Sequence, residues 1–123
     1  MANSYKSGEI LELRARVAGW RVLVVGNRCA AEVVDQLARV LGVRCTLEAA
    51  VGKQRRRQSL IERIEHGSYD AVLVAHGFAQ HADTGLLAAA CRRAEIHYIA
   101  VGRGRFTEIV HAMRVVLVPQ ARA

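Results

Sequence analysis

The chain lacks the features that mark exported, membrane-spanning or disulfide-bonded proteins. Its apolar runs are far shorter than the roughly 20 residues that span a bilayer, and its amino terminus lacks the hydrophobic segment of a signal peptide. The cysteines Cys29, Cys45 and Cys91 are widely spaced and form no C-x-x-C pair, which argues against a disulfide framework, a zinc knuckle or covalent haem attachment. We therefore expect a protein of the reducing cytoplasm.

Motifs of hydrolysis and phosphoryl transfer are also missing. The sequence holds no Walker loop, no Ser-His-Asp order and no paired carboxylates. With one proline, 52% hydrophobic residues and no low-complexity stretch in 123 residues, the chain is expected to fold as a single compact domain. We divide it into an amino-terminal helix over residues 1–18, a ligand-binding α/β domain over 19–118 and a short tail over 119–123.

Positive charge is abundant, and it comes almost entirely from arginine. The net charge is +7, and Lys6 and Lys53 are the only lysines. Guanidinium groups suit bidentate contact with carboxylate or phosphate, so we expect an anionic ligand or partner. Weak, non-specific nucleic-acid binding is the alternative. The run Arg55–Arg57 has no interleaved aromatic residues to stack on bases, and it reads either as a solvated helix face or as a binding patch.

Continuous apolar runs alternate with amphipathic patterns along the chain. This alternation predicts parallel strands buried on both faces, with helices between them. We predict strands at residues 20–25, 43–48, 70–75 and 96–101, and helices at 7–17, between Asn27 and Gly42, between Gln54 and Gly67, from Asp83 or Thr84 to Arg93, and at 106–117. The most economical strand order is 2-1-3-4, a flavodoxin-like or Rossmann-like α/β sheet. The first helix either covers this sheet or forms a subunit contact.

Two predicted strand ends carry residues suited to an anion. Asn27 and Arg28 follow the first strand, at a turn where free backbone amides and the helix dipole attract negative charge. Arg103 and Arg105 follow the fourth strand among glycines, although the third glycine of a dinucleotide fingerprint is absent. Either these arginines bind an anion or they face water. Cys29 in a first helical turn has a lowered pKa if it is exposed, or it is a buried structural thiol.

The third strand is followed by two histidines, His76 and His81. They flank the loop at the crevice where this topology places ligands, and imidazole is a common ligand of transition metals and haem iron. The remaining histidines fall at a helix end, a strand start and the last helix, positions typical of capping or surface roles; they are His66, His97 and His111.

The order of these motifs resembles the bacterial "domain of unknown function 2325" family over roughly residues 20 to 117. The resemblance rests on Val22-Leu23-Val24-Val25-Gly26, on the Asp-Ala-Val-Leu-Val strand before Gln80-His81-Ala82, and on Cys91-Arg92-Arg93 before an Ile-His-Tyr-Ile-Ala-Val strand. His81 matches the histidine of the family's serine-histidine pair, and Gln80 stands in place of the serine. After the second strand, only Gly52 matches the family's histidine, aspartate and glycine.

This resemblance implies an oligomer that binds haem b non-covalently and holds dioxygen. His81 is then the first candidate for the iron ligand and His76 the second. Phe78, Leu86 and Leu87 are candidates for an apolar slot, and three arginines are candidates for holding the two propionates: Arg28, Arg103 and Arg105. A nucleotide-sensing or nucleic-acid-associated regulatory module that uses the same arginines is the alternative function.

Overall fold

The structure is a computed structural model that describes residues 7–26, 30–49, 54–75, 81–102 and 105–118. In chain order its elements are α1 (Ser7–Val17), β1 (Arg21–Gly26), α2 (Ala30–Leu41), β2 (Arg44–Ala49), α3 (Gln54–Glu65), β3 (Ala71–Ala75), α4 (His81–Ala94), β4 (His97–Val101) and α5 (Phe106–Leu117). The four strands form one parallel sheet in the order β2-β1-β3-β4, which confirms the predicted α/β fold and strand order.

The sheet is buried on both faces because its central strands are apolar at every position. All five residues of β3 are buried, as are the five after Arg21 in β1. Successive side chains of a strand point to opposite faces, so each strand contributes to two apolar clusters. One cluster joins Val22 and Val24 to α1, α2 and α5, and the other joins Leu23 and Val25 to α3 and α4.

The first helix, α1, packs against its own sheet, which is the first of the two roles considered for it. Leu13 and Val17 are fully buried in the cluster that contains Val22 and Val24. The Arg14 guanidinium donates to the Val40 carbonyl at the end of α2, at 2.8 Å. On the other side, Arg114 of α5 donates to the Glu9 carbonyl at 2.8 Å and to the Glu12 carboxylate at 3.1 Å. These contacts join α1 to both neighbouring helices.

All four strands start one residue later than predicted, and before β1 and β4 the preceding residue completes a turn. Trp20 N donates to the Val17 carbonyl, and Ile96 N donates to the Cys91 carbonyl, so both residues are still bonded to the helix before them. The bounds of α1 and α5 agree with the prediction, whereas α4 begins at His81 instead of Asp83 or Thr84. Among the residues that the structure describes, no helix is long and apolar enough to cross a membrane.

Candidate functional site

The strand order reverses at the centre of the sheet, between β1 and β3. From β1 the chain goes to β2 on one side, and it then crosses to β3 on the other side of β1. Val25 of β1 pairs with Val74 of β3, so these two strands end next to each other, at Gly26 and Ala75. In parallel α/β sheets, ligands bind in the crevice beyond the carboxyl ends of strands at such a switch point. We call this side of the sheet the carboxyl edge.

Most of the predicted site residues directly follow the strand ends at the carboxyl edge and lie outside the described residues. Gly26 is the last residue of β1 and precedes Asn27 and Arg28 in the sequence, while Ala75 precedes His76 and Phe78. Arg103 and Cys29 also fall outside the described ranges. The structure therefore brings the strand ends together, and the side chains of these residues stay predictions.

His81 is the first residue of α4, where the sequence predicts a loop. The helix thus starts immediately at the residue that matches the family pair, on the connection that leaves β3. A helix N-terminus carries unpaired backbone N–H groups and the positive end of the helix dipole, and both favour a negatively charged ligand. This backbone placement is compatible with an anionic ligand beside His81.

Arg105 is the one candidate anion-binding residue whose side chain is described. It is exposed at the N-cap of α5, with φ −72° and ψ 151°, and its side chain makes no capping hydrogen bond. Within the described part of the chain, no carboxylate pairs with it. Its guanidinium is therefore available to an anion at the carboxyl edge.

Glu108 is a residue that the sequence interpretation missed. Its carboxylate Oε2 accepts a hydrogen bond from the Gly102 N–H, at 2.9 Å, just after β4 ends. The contact is close: a Cβ added to Gly102 would lie 2.8 Å from the same oxygen. A glutamate three residues after an N-cap is the usual sequence signal for such a contact, since it reaches back to an upstream amide. Glu108 therefore links the first turn of α5 to the residue that follows β4.

The apolar residues predicted for a ligand slot have different exposures. Leu86 is 43% exposed, so its side chain is open to contact. Leu87 has no exposed surface and packs in the cluster with α3, which corrects its assignment to a ligand slot. Leu87 points to the core because it follows Leu86 by one position, about 100° around the helix.

The described cysteines are unsuited to nucleophilic catalysis. Burial raises the pKa of the Cys45 thiol, and likewise that of the Cys91 thiol, to about 11. A thiol with this pKa holds almost no reactive thiolate at neutral pH. Residues 7–26, 30–49, 54–75, 81–102 and 105–118 also contain no cluster of three or more histidine, cysteine, aspartate or glutamate side chains that could hold a metal ion.

The other three histidines occupy surface positions, as expected. His66, His97 and His111 are all exposed. His97 also stacks on Trp20, with the ring centroids 5.6 Å apart and the planes inclined by 11°. This pair lies at the opposite end of the strands from Gly26 and Ala75.

A scan against models of known protein families and a search of curated proteins each found no match to this chain. Membership of the domain of unknown function 2325 family therefore stays a prediction that rests on the motifs around Val22, His81 and Cys91.

Proposed function

We propose that this chain binds an anionic cofactor at the carboxyl edge of its sheet, with haem b as the first candidate. The observation that supports the proposal most is the adjacency of the β1 and β3 ends at Gly26 and Ala75. The sequence that follows these two ends holds Arg28 on one side and both candidate histidines on the other. A cofactor bound in this crevice lies within reach of both segments.

The chemistry of these residues fits haem b. Imidazole is the commonest protein ligand of haem iron, and the family resemblance makes His81 the first choice and His76 the second. Propionates need cations, and the exposed, unpaired guanidinium of Arg105 is of the right kind, as are those of Arg28 and Arg103. A bound haem would supply an iron able to bind dioxygen, while the protein supplies the ligand, the orientation and the apolar surroundings.

Two further parts of the proposal concern the state of the protein in the cell. Self-association follows from the family resemblance. Leu11 and Val115 are large apolar side chains that are 63% and 58% exposed, and a second copy would cover them.

Location in the reducing cytoplasm follows from the spacing of the three cysteines, whose described members Cys45 and Cys91 are free thiols.

A nucleotide-sensing or nucleic-acid-associated module is the second candidate, because the same unpaired Arg105 also suits a phosphate. Its binding of nucleic acid would rest on few phosphate contacts and would be lost near physiological salt.

Colour and thermal stability separate the two candidates in one purified sample. Reconstitution with haemin is expected to give a red protein with a Soret band, and ATP and GTP are expected to leave the melting temperature unchanged. A colourless protein whose melting temperature rises with a nucleotide would favour the second candidate function over haem binding.

Anisotropy titration with labelled DNA and RNA tests the nucleic-acid alternative at about 150 mM salt, where the Debye length is short. Sub-micromolar, sequence-dependent binding would favour the regulatory module.

A further inference from the structure

A second concave site lies at the other end of the sheet. We call the side from which the strands start the amino edge; its turns are residues 18–20, 42–43, 66–70 and 95–96. Beside it, between α1, α5 and the starts of β1 and β4, is a cleft of about 540 Å³ lined by Ala15, Arg16, Trp20, His97, Val116 and Leu117. This volume is within the range of roughly 300–1,000 Å³ that is typical of small-molecule sites. We call it the amino-edge cleft.

One wall of the amino-edge cleft is aromatic. Trp20 directly precedes β1, and His97 is the first residue of β4, so their rings meet across the start of β3. The indole and imidazole are nearly parallel, with an angle of 11° between the planes. Trp20 is half-buried against the core, whereas His97 is exposed. Because the two rings stack on each other, a further planar ring can stack only on a face that is turned away from this contact.

The amino-edge cleft also contains a cation, Arg16, for which no partner is found among the described residues. Arg16 is exposed near the end of α1, and within the described ranges no carboxylate or carbonyl accepts a hydrogen bond from its side chain. The acidic residue one turn earlier in the helix, Glu12, pairs instead with Arg114 at 3.1 Å. The nearby Arg21 is likewise held by Asp70. Arg16 is thus the guanidinium of the cleft that remains available to a ligand.

The remaining wall is apolar. Val116 is 48% exposed although it is a large aliphatic side chain, and Leu117 beside it belongs to the core cluster. A half-exposed valine that faces a flat aromatic pair leaves apolar surface in water, which a ligand would remove.

The geometry points to a site for a planar aromatic carboxylate in the amino-edge cleft. The ring of the ligand packs between the Trp20–His97 pair and Val116, and its carboxylate pairs with Arg16. A non-planar ring loses the stacking, and a neutral aromatic molecule loses the ion pair, so the site distinguishes both from the proposed ligand. The site is independent of the cofactor proposal, since the six residues of β1 separate the two edges by about 20 Å.

The chain contains a single tryptophan, so its one indole N–H resonance and its fluorescence both report on this cleft. The test titrates the purified protein with benzoate, with cyclohexanecarboxylate and with benzyl alcohol. We expect a saturable shift of the Trp20 indole resonance with benzoate and clearly weaker binding of the other two compounds.

Two variants and a control identify the groups responsible. In Arg16→Gln, benzoate affinity should fall about fivefold, the effect of losing an ion pair of about 1 kcal/mol in a half-open site. His97→Ala, which removes half of the aromatic wall, should also weaken binding. Arg92→Gln removes an exposed arginine from α4, on the opposite face, and should leave the affinity unchanged. The proposal is overturned if benzoate gives no saturable shift, if cyclohexanecarboxylate binds equally well, or if Arg16→Gln binds like the wild type.

Discussion

The two edges of the sheet differ in what their described polar groups contact. At the amino edge the turns bond to one another: Arg44 N donates to the Trp20 carbonyl at 2.7 Å, and Gly19 N donates to the Gly42 carbonyl at 2.8 Å. At the carboxyl edge, the described polar side chain of Arg105 has no partner, and the sequence after the strand ends is rich in candidate ligand residues. The described hydrogen bonds therefore account for how the amino edge is stabilised, and the site proposed above lies at the other edge, where parallel α/β sheets place their ligands.

Asp70 and Arg21 provide the clearest example at the amino edge. Asp70 N donates to the Arg21 carbonyl at 2.7 Å, and the Asp70 carboxylate accepts from Arg21 N at 2.8 Å. The Arg21 guanidinium adds an ion pair at 3.3 Å. This reciprocal set joins the starts of two adjacent strands, so it fixes the register of β1 and β3 without a ligand.

The largest expected effect is a loss of stability when the packing of α1 on the sheet is weakened. Leu13→Ala should lower the free energy of unfolding by about 2–4 kcal/mol, because it leaves a cavity in the core. Urea denaturation measures this change. Leu11→Ala, two positions away but 63% exposed, is the control and should change stability by less than about 0.5 kcal/mol. Equal, small losses in both would mean that α1 does not pack on its own sheet.

A smaller loss is expected from the Asp70 pair. Asp70→Asn should cost about 1 kcal/mol at pH 7, since the side chain is 38% exposed and solvent weakens the ion pair. Hydrogen bonding to Arg21 lowers the pKa of Asp70 from 3.8. Because the pKa of Asp70 is lower in the folded protein than in the unfolded chain, the ionised carboxylate stabilises the fold above pH 3.8. This stabilisation is lost as the pH falls through the pKa of the folded protein.

Unfolding followed between pH 7 and pH 2 therefore tests the Asp70 pair. The difference in the free energy of unfolding between wild type and Asp70→Asn should become smaller below pH 3.8. Asp35→Asn breaks an exposed pair with Arg39 and serves as the control, with little effect at any pH. A difference that stays constant down to pH 2 would contradict the assigned role of Asp70.

The smallest effect is expected for Arg105 at the carboxyl edge, and it concerns ligand affinity, not stability. Arg105→Gln should weaken haem binding about fivefold, corresponding to about 1 kcal/mol for one exposed charged contact. Its unfolding curve should match that of the wild type, because the side chain is exposed and has no partner among the described residues. Arg44→Gln, an exposed arginine at the amino edge, is the control for charge. Equal affinity in Arg105→Gln and wild type would mean that Arg105 only faces water.

The sequence predicted the strand order and the bounds of α1 and α5 because local patterns determine them. Apolar runs and helical periodicity report which segments are buried, and short connections leave few orders for four parallel strands. The start of α4 was wrong because Asp83 and Thr84 resemble N-caps, although aspartate is favoured in the first helical turn as well.

The missed contacts depend on tertiary structure. Trp20 and His97 are far apart in the sequence. Their rings meet because β1 and β4 lie on the two sides of the same strand, β3. The Gly102–Glu108 contact could have been expected from a glutamate three residues after the N-cap of α5, but it also depends on how closely α5 follows β4. Of the predicted site, the sequence supplied the edge of the sheet and the residue types, while the positions of the side chains after Gly26 and Ala75 stay predictions.

A haemin titration of three proteins tests the cofactor proposal most directly: wild type, His81→Ala and His66→Ala. His66 is exposed at the amino edge, so its loss controls for haemin that binds to surface histidines. We predict the same Soret band and affinity in wild type and His66→Ala, and a lost or shifted band in His81→Ala with an unchanged unfolding curve. A His81→Ala variant with the wild-type spectrum and affinity would contradict the assignment of His81 as the iron ligand.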